Sequence, residues 1–357
     1  MRRVLSIAAA LVLLCAAAQA GVDDLEIDPS ATSLDLNSIP KIYEREIESL
    51  AEKLNAVETL ETCDLSEVTL SMKAKEDLVA LCPQIEFHFT LPVYYKEIDN
   101  LAETFDIDSL KCATKIKLAD YKQIIALMPR LERVVMYNAQ FSVATMENLM
   151  ETFPDIAFEW TLRFDGIEVK NTATAFSTLK GRQDPRYTSK QLTPLTLYCP
   201  DLLGLDVGHN NVHDLSFLSA WPDLRWLIVI DSEVPVTDIS PLAELMDLEY
   251  VELFMQDITD ISPLANHTKL LDLNLCHNDI TDLSPLYSCV NLERLHISYN
   301  PNLTQEEVDK LQAVLPDLVI ETEVWSSTDA GWREHPRYFI MYEGFTTGVY
   351  IPFDQEE

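Results

Sequence analysis

The sequence predicts an α/β solenoid, with a curved parallel sheet on the concave side and helices and short turns on the convex side. Three observations support this fold class. A pattern of apolar residues recurs five times between Leu202 and Asn300, and a shorter pattern follows each of its first four copies. Residues 60–201 match themselves when shifted by 71 positions. Such repeats indicate stacked units, because one repeat cannot bury its apolar side alone.

The first pattern reads Leu-x-x-Leu-x-Leu-x-x-Asn, with related residues in some copies. Successive copies begin 22, 24, 22 and 22 residues apart. Their first positions are Leu202, Leu224, Leu248, Leu270 and Leu292. Each copy predicts a short strand whose leucines point into a shared core. At the last position, Asn210, Asn278 and Asn300 are predicted to turn the chain out of the strand and to bind backbone groups, as a ladder through the stack.

The second pattern contains an Asp, a Ser and usually a Pro. Three copies hold the pairs Ser240-Pro241, Ser262-Pro263 and Ser284-Pro285. We expect each pair to start a helix, with Ser as the N-cap and Pro at the first helical position. Together the two patterns resemble the leucine-rich repeat, in the 22-residue form of bacterial internalin-like proteins. The resemblance implies a secreted, non-catalytic recognition scaffold that binds proteins, or sometimes glycans, on its concave face.

The repeat boundaries predict how the chain is divided. A signal peptide, 1–20, precedes an acidic leader with an N-terminal capping helix, 21–56. Longer helical repeats, 57–201, contain the 71-residue duplication, in which the helices Lys73–Leu81 and Ala144–Thr152 correspond. Compact repeats occupy 202–324, and a C-terminal cap occupies 325–357.

The first residues have the features of an export signal. A basic start is followed by an apolar run, and Ala18-Gln19-Ala20 places small residues where signal peptidase cleaves, after Ala20. No later stretch is apolar enough to span a membrane. We therefore expect a protein that is secreted or held at the cell surface, without membrane insertion.

The last 33 residues depart from the repeat. Two aromatic segments, Tyr338–Tyr342 and Gly348–Ile351, flank residues 343–347. This arrangement predicts a β-hairpin that covers the last repeat as a cap. A separate ligand-binding patch is the alternative.

Charge and cysteine usage narrow the function further. The formal net charge is −33, so the surface repels nucleic acid phosphates and anionic membranes. Cys82, Cys199 and Cys289 each stand three residues before a strand, in a slot that other repeats fill with apolar residues. Free thiols are therefore favoured over disulfides.

The sequence carries no sign of catalysis or of a cofactor. It lacks a Gly-x-Ser-x-Gly motif, a P-loop, a dinucleotide fingerprint and a His-Glu-x-x-His motif. His296 and Cys276 fall on adjacent strands, but two ligands do not make a metal site. We predict neither an enzyme, nor a metal, nor a cofactor.

The positions between the leucines line the concave face, and they form columns from strand to strand. These columns cluster aromatic, apolar and charged residues that the core does not require, which is typical of a protein interface. The predicted partner-binding residues are Trp226, Ile228, Ile230, Tyr250, Glu252, Phe254, Asp272, Arg294 and His296. A protein partner is expected, and a glycan is the second ligand class. The alternatives are that the C-terminal cap, the N-terminal half or a second copy covers these residues, or that the chain is a self-associating cell-envelope scaffold.

Overall fold

The computed structural model describes residues 21–111, 113–179 and 186–353. The predicted signal peptide lies outside the described residues, as do Cys112 and the last four residues of the predicted cap. The described chain forms two compact units. The first contains residues up to 139 together with 146–158, and the second contains 140–145 and the residues from 159 onward.

The elements alternate between short strands and short helices. The strands are β1 Ser33–Asp35, β2 Thr62–Asp64, β3 Glu86–His88, β4 Thr90–Val93, β5 Lys96–Asp99, β6 Thr104–Asp106, β7 Arg133–Met136, β8 Ala157–Phe164, β9 Ile167–Lys170, β10 Ala175–Ser177, β11 Gly204–Asp206, β12 Trp226–Ile228, β13 Tyr250–Glu252, β14 Asp272–Asn274, β15 Arg294–His296 and β16 Val319–Glu321. The helices are α1 Ile47–Asn55, α2 Met72–Leu81, α3 Leu118–Ala126, α4 Val143–Thr152, α5 Thr193–Tyr198, α6 Gln305–Val314 and α7 Pro336–Thr347.

In the first unit, β1, β2 and β3 form a parallel sheet, β6 pairs with β7 in parallel, and β4 and β5 form an antiparallel hairpin. The predicted N-terminal capping helix is present at the end of the segment 21–56, as α1. A 3-10 turn occupies Glu44–Glu46, and α1 then buries Ile47, Leu50 and Leu54.

Two hairpins show the shift of 71 residues in their hydrogen bonds. Thr90 faces Asp99 in β4–β5, and Thr161 faces Lys170 in β8–β9. After each hairpin an asparagine side chain accepts a backbone N–H. Asn100 accepts from Phe89 at 2.6 Å, and Asn171 accepts from Trp160 at 2.8 Å. A buried backbone donor needs such a partner, so this asparagine holds the base of each hairpin in place.

In the second unit, β10 and the six strands of the compact repeats form one parallel sheet, in the order β10 to β16. The four pairs from β11 to β15 follow the register that the repeat spacing predicts, with Leu205, Leu227, Val251, Leu273 and Leu295 side by side and buried. The predicted leucine-rich-repeat solenoid is confirmed for these repeats.

The convex connections are 3-10 helices, at Ser216–Ala220, Ser240–Glu244, Ser262–Leu264 and Ser284–Ser288. The prediction of a helix at each Ser-Pro pair is confirmed, but the predicted N-cap is wrong. Ser240 is the first helical residue, and the cap position belongs to Ile239. Asp238 accepts the Ser240 N–H at 2.8 Å, and Asp260 and Asp282 do the same one and two repeats later. A carboxylate two residues back thus supplies the acceptor expected from Ser.

The asparagine ladder is present as predicted. The Asn278 amide donates to the carbonyls of Leu253 and Leu275, at 2.9 and 3.1 Å, and accepts the Ile258 N–H at 3.0 Å. Asn300 repeats these contacts one unit later, and Gln256 replaces asparagine one unit earlier. Each side chain therefore ties two neighbouring repeats together.

The apolar cysteine slot also behaves as expected. Cys82, Cys199 and Cys289 are fully buried and free, as are Cys63 and Cys276. Burial raises the pKa of the Cys289 thiol to about 11, so the side chain is neutral and packs as a small hydrophobe.

Candidate functional site

Parallel pairing brings the predicted partner-binding residues together on one side of the sheet. Trp226 lies beside Tyr250, and Tyr250 lies beside Asp272. Ile228 lies beside Glu252, and Asn274 lies beside His296 on the next strand. These positions alternate with the core leucines, so their side chains leave the opposite side of the strands. We call the surface made by the nine predicted residues the concave face.

The concave face is not open to solvent, which corrects the expectation of an exposed surface. Trp226, Tyr250, Glu252 and Asp272 each have an exposed fraction of 0%. Ile228, Ile230, Phe254 and His296 are also buried, and the Arg294 side chain keeps 13% exposure. The reason is that residues 325–353, which we call the C-terminal cover, pack directly onto this face. Of the alternatives left open by the sequence, covering by the C-terminal segment is the one that the structure has.

The predicted β-hairpin in this segment is wrong, because residues 336–347 form the helix α7. Pro336 stands at the start of the helix, where its missing N–H is not needed. His335 caps the helix by accepting the Arg337 N–H, and Gly348 ends it in a left-handed conformation with φ of 81°. In this helix Met341 and Gly344 are buried, whereas Phe339 and Tyr342, two of the aromatic residues that suggested a strand, are 58% and 63% exposed.

Aromatic rings form the centre of the contact. The Trp226 ring lies 4.5 Å from Tyr350, 5.4 Å from Phe353 and 5.8 Å from Phe345, centroid to centroid. Gly344 permits this approach, since a Cβ placed there would lie 2.7 Å from Trp226 Cζ3. The helix and the tryptophan therefore fit only while residue 344 has no side chain.

Two fully buried carboxylates order the polar part of the contact. Glu252 Oε1 accepts from the Tyr250 hydroxyl at 2.5 Å and from the Trp332 indole at 2.8 Å, and Arg333 Nη2 lies 3.7 Å from Oε2. Asp272 binds Arg294 Nε at 2.5 Å. It also accepts from Arg337 Nη1 at 3.2 and 3.1 Å. A buried carboxylate needs such partners, so the cover supplies the donors that solvent would otherwise supply.

Further residues, which the sequence analysis did not single out, also take part in the contact between the cover and the sheet. Glu249 accepts from the Tyr350 hydroxyl at 2.9 Å, and Glu293 binds Arg337. Asn274 donates to the Ser327 carbonyl at 2.6 Å. Glu249 and Glu293 each follow the first leucine of a repeat, a position that our reading of the columns left out.

Burial shifts the pKa values of several groups on this side of the sheet, among them His296 and Asp206. Desolvation, with Arg294 adding to it, lowers the pKa of His296 to about 4, so the imidazole is neutral at pH 7. Its ring lies 4.7 Å from Trp332. Desolvation raises the pKa of Asp206 to about 6, although this carboxylate accepts from Gly208 N and Ser177 Oγ. The face therefore holds ionisable groups in an environment that disfavours charge.

The described residues contain no group of three or more His, Cys, Asp or Glu side chains placed to hold a metal ion. Within the same residues, no helix is long and apolar enough to cross a membrane.

Comparisons with known proteins found one family model and several solved structures that match parts of the chain. A family model described as leucine-rich repeats in two copies matches residues 268–312, which include β14 and β15. No curated protein matches the chain. Internalin C2 of Listeria monocytogenes is 15% identical, over 80% of this chain and 87% of that one, with a TM-score of 0.32. A second internalin of that bacterium is 16% identical, over 82% and 87%, with a TM-score of 0.33. A leucine-rich-repeat protein of Leptospira interrogans is 13% identical, over 82% and 96%, with a TM-score of 0.24.

Proposed function

We propose that this chain, whose compact repeats form a leucine-rich-repeat solenoid, is a secreted, non-catalytic recognition scaffold that binds a protein partner through its concave face. One observation carries the proposal: the face already holds a polypeptide. The C-terminal cover binds it by stacked aromatic rings and by arginines on buried carboxylates. Aromatic and arginine side chains are the anchors that dominate protein interfaces.

The buried charges favour recognition over simple capping. Ion pairs taken out of water contribute little net stability, and apolar residues of similar size often replace them without loss. A cover that only sealed the sheet would need no Glu252 or Asp272 at its centre. Charged partners instead select which segment fits, since a wrong segment leaves a buried charge unpaired.

Secretion rests on the first 20 residues of the sequence, where a basic start, an apolar run and a small-residue cleavage site occur in order. An acidic surface with a net charge of −33 supports a protein partner rather than nucleic acid. An extracellular partner is therefore the one to search for.

The test is affinity capture from extracellular and cell-envelope proteins of the source organism. Gly344→Leu serves as the opened form, because a side chain there collides with Trp226. The opened form should capture a discrete protein, and adding Asp272→Asn should abolish that capture. A matched control replaces Tyr94 and Tyr95 with Ala, since both are 65% exposed and lie far along the chain in the first unit. Partner binding by this face would be refuted if Asp272→Asn leaves the capture unchanged, or if only further copies of this chain are captured.

A further inference from the structure

The C-terminal cover contacts the concave face through a short run of side chains. Trp332 donates to Glu252, Arg333 approaches the same carboxylate, and Arg337 binds Asp272. The two arginines are four residues apart, on either side of the first residue of α7. The chain has 26 basic residues against 59 acidic ones. Cations placed opposite two buried carboxylates therefore complement the face closely.

The contact is nevertheless incompletely hydrogen-bonded. Several buried side-chain atoms in it have no hydrogen-bond partner among the described residues, although such atoms are usually satisfied. They are Arg225 Nε, Trp226 Nε1, Glu252 Oε2, Arg294 Nη2, His296 Nδ1 and Arg333 Nε. A segment with better-placed donors and acceptors would bind the same face more tightly than the cover does.

The cover is attached in a way that allows it to leave as a unit. It adds no strand to the seven-stranded sheet, and its backbone meets β10 at one point, where Gly348 O accepts from the N–H groups of Thr174 and Ala175. The first residues of the cover are partly exposed. Trp325 is 92% exposed, and Ala330 and Gly331, also exposed, adopt positive φ angles of 50° and 81°. Detachment of the cover would therefore break few backbone hydrogen bonds to the sheet, and another segment could supply the same side-chain contacts.

We propose that the C-terminal cover is a displaceable intramolecular ligand, and that the partner's binding segment has the same chemistry. That segment carries an aromatic side chain, an adjacent arginine and a second arginine four residues later, at the start of a helix. The proposal rests on the function proposed above and adds the partner class and the regulation of the site. Cover and partner use the same carboxylates, so the partner's apparent affinity is reduced by the fraction of molecules that are closed.

A fluorescein-labelled synthetic peptide with the sequence of residues 325–353 is the probe. Its binding to the full chain is followed by fluorescence anisotropy, beside Gly344→Leu and the control Glu343→Leu on the exposed side of α7. We expect Gly344→Leu to bind the peptide roughly tenfold or more tightly than the wild type, because its own cover no longer seats. Glu343→Leu should match the wild type. A peptide with Arg333→Glu and Arg337→Glu should not bind. Equal binding to all three chains, or binding of the charge-reversed peptide, overturns the proposal.

A second form keeps every contact residue and guards against misfolding of Gly344→Leu. A protease site is inserted after Asp329, next to the exposed Ala330 and Gly331, and the purified full chain is then cut. The cut chain should exchange its cover for the labelled peptide, and the uncut chain should not. Retention of the cut cover against a large excess of labelled peptide contradicts displacement.

The two proposals fail separately. If the opened chain binds the peptide but captures no other protein, the cover is displaceable and the concave face has no foreign partner. If a partner binds through Asp272 but the peptide does not compete with it, recognition stands and the intramolecular-ligand inference is wrong.

Discussion

Replacement of Trp332 by Ala should release the C-terminal cover while leaving the repeats folded. The Trp332 side chain is fully buried, with its ring 5.4 Å from Tyr250 and 4.7 Å from His296, and the Arg294 guanidinium lies 4.7 Å from its centroid. Truncating a buried Trp to Ala costs about 3–5 kcal/mol. Glu252 also loses its indole donor, which adds about 1–3 kcal/mol. The free energy that holds the cover closed should therefore fall by at least about 4 kcal/mol, or roughly a thousandfold in population.

Hydrogen exchange measured by mass spectrometry on fragments of the protein is the assay. Amides of α7 should exchange roughly a thousandfold faster in Trp332→Ala, whereas amides of β13 should keep their rates, because repeats contact mainly their neighbours. Trp325→Ala is the matched control, since this side chain is 92% exposed in the same segment. The reasoning is refuted if both variants behave alike, or if the strands of the sheet accelerate together with α7.

Four further outcomes are expected. Gly344→Ala should destabilise the fold by about 1–3 kcal/mol through overpacking against Trp226, although alanine favours a helix. The thermal midpoint should therefore fall, and a higher midpoint would contradict the tight contact between residue 344 and Trp226. Asn278→Ala removes two hydrogen bonds to the preceding repeat, at Leu253 and Ile258, and two within its own repeat. It should cost about 2–3 kcal/mol in urea unfolding, unlike replacement of the exposed Asn291 by Ala. The pKa of His296 is lowered to about 4, below the 6.5 of a free imidazole, so only the unfolded chain binds the extra proton between these values. Wild type should therefore gain stability over His296→Gln as pH rises from 4 to 6.5, and a constant difference would disprove this. Protein recovered from its native source should begin at Gly21 by N-terminal sequencing, and an intact Met1 would exclude the cleavage.

The repeats could be predicted in detail because their determinants are local and recur. Leu227 and Leu273 occupy equivalent positions in their repeats, and each copy supports the interpretation of the others. The same holds for Asn278 and Asn300, whose hydrogen bonds are the predicted ones. The prediction was less accurate for the helix caps, where either of two neighbouring side chains could accept the hydrogen bond. Asp238 supplies the acceptor that we assigned to Ser240, and both residues recur at a fixed distance from the proline.

The cover could not be predicted, because its determinants are not local. Trp332 meets Glu252 across 80 residues, and Tyr350 meets Thr174 across 176. Aromatic residues at 338–342 fit a strand as well as a helix, since both forms favour one apolar side. The contact between Gly344 and Trp226 joins two segments that are far apart in the sequence, so no local pattern contains it. A sequence pattern could show that the Trp226 side chain points away from the core leucines, but not which segment covers it.

The sign of the charges connects the fold to its proposed function. The chain as a whole is acidic, and the concave face contributes two carboxylates, Glu252 and Asp272, which are fully buried in the closed form. Of the two, only Asp272 pairs with an arginine of the face itself, Arg294. A carboxylate in that environment requires a cation, so opening the cover leaves two acidic groups that water can solvate but that an arginine-bearing segment can bind more specifically. The same residues therefore stabilise the closed form and determine what can open it. Asp272→Asn should accordingly weaken the binding of the cover and the binding of the partner to the concave face. Loss of both would distinguish one shared site from two separate ones.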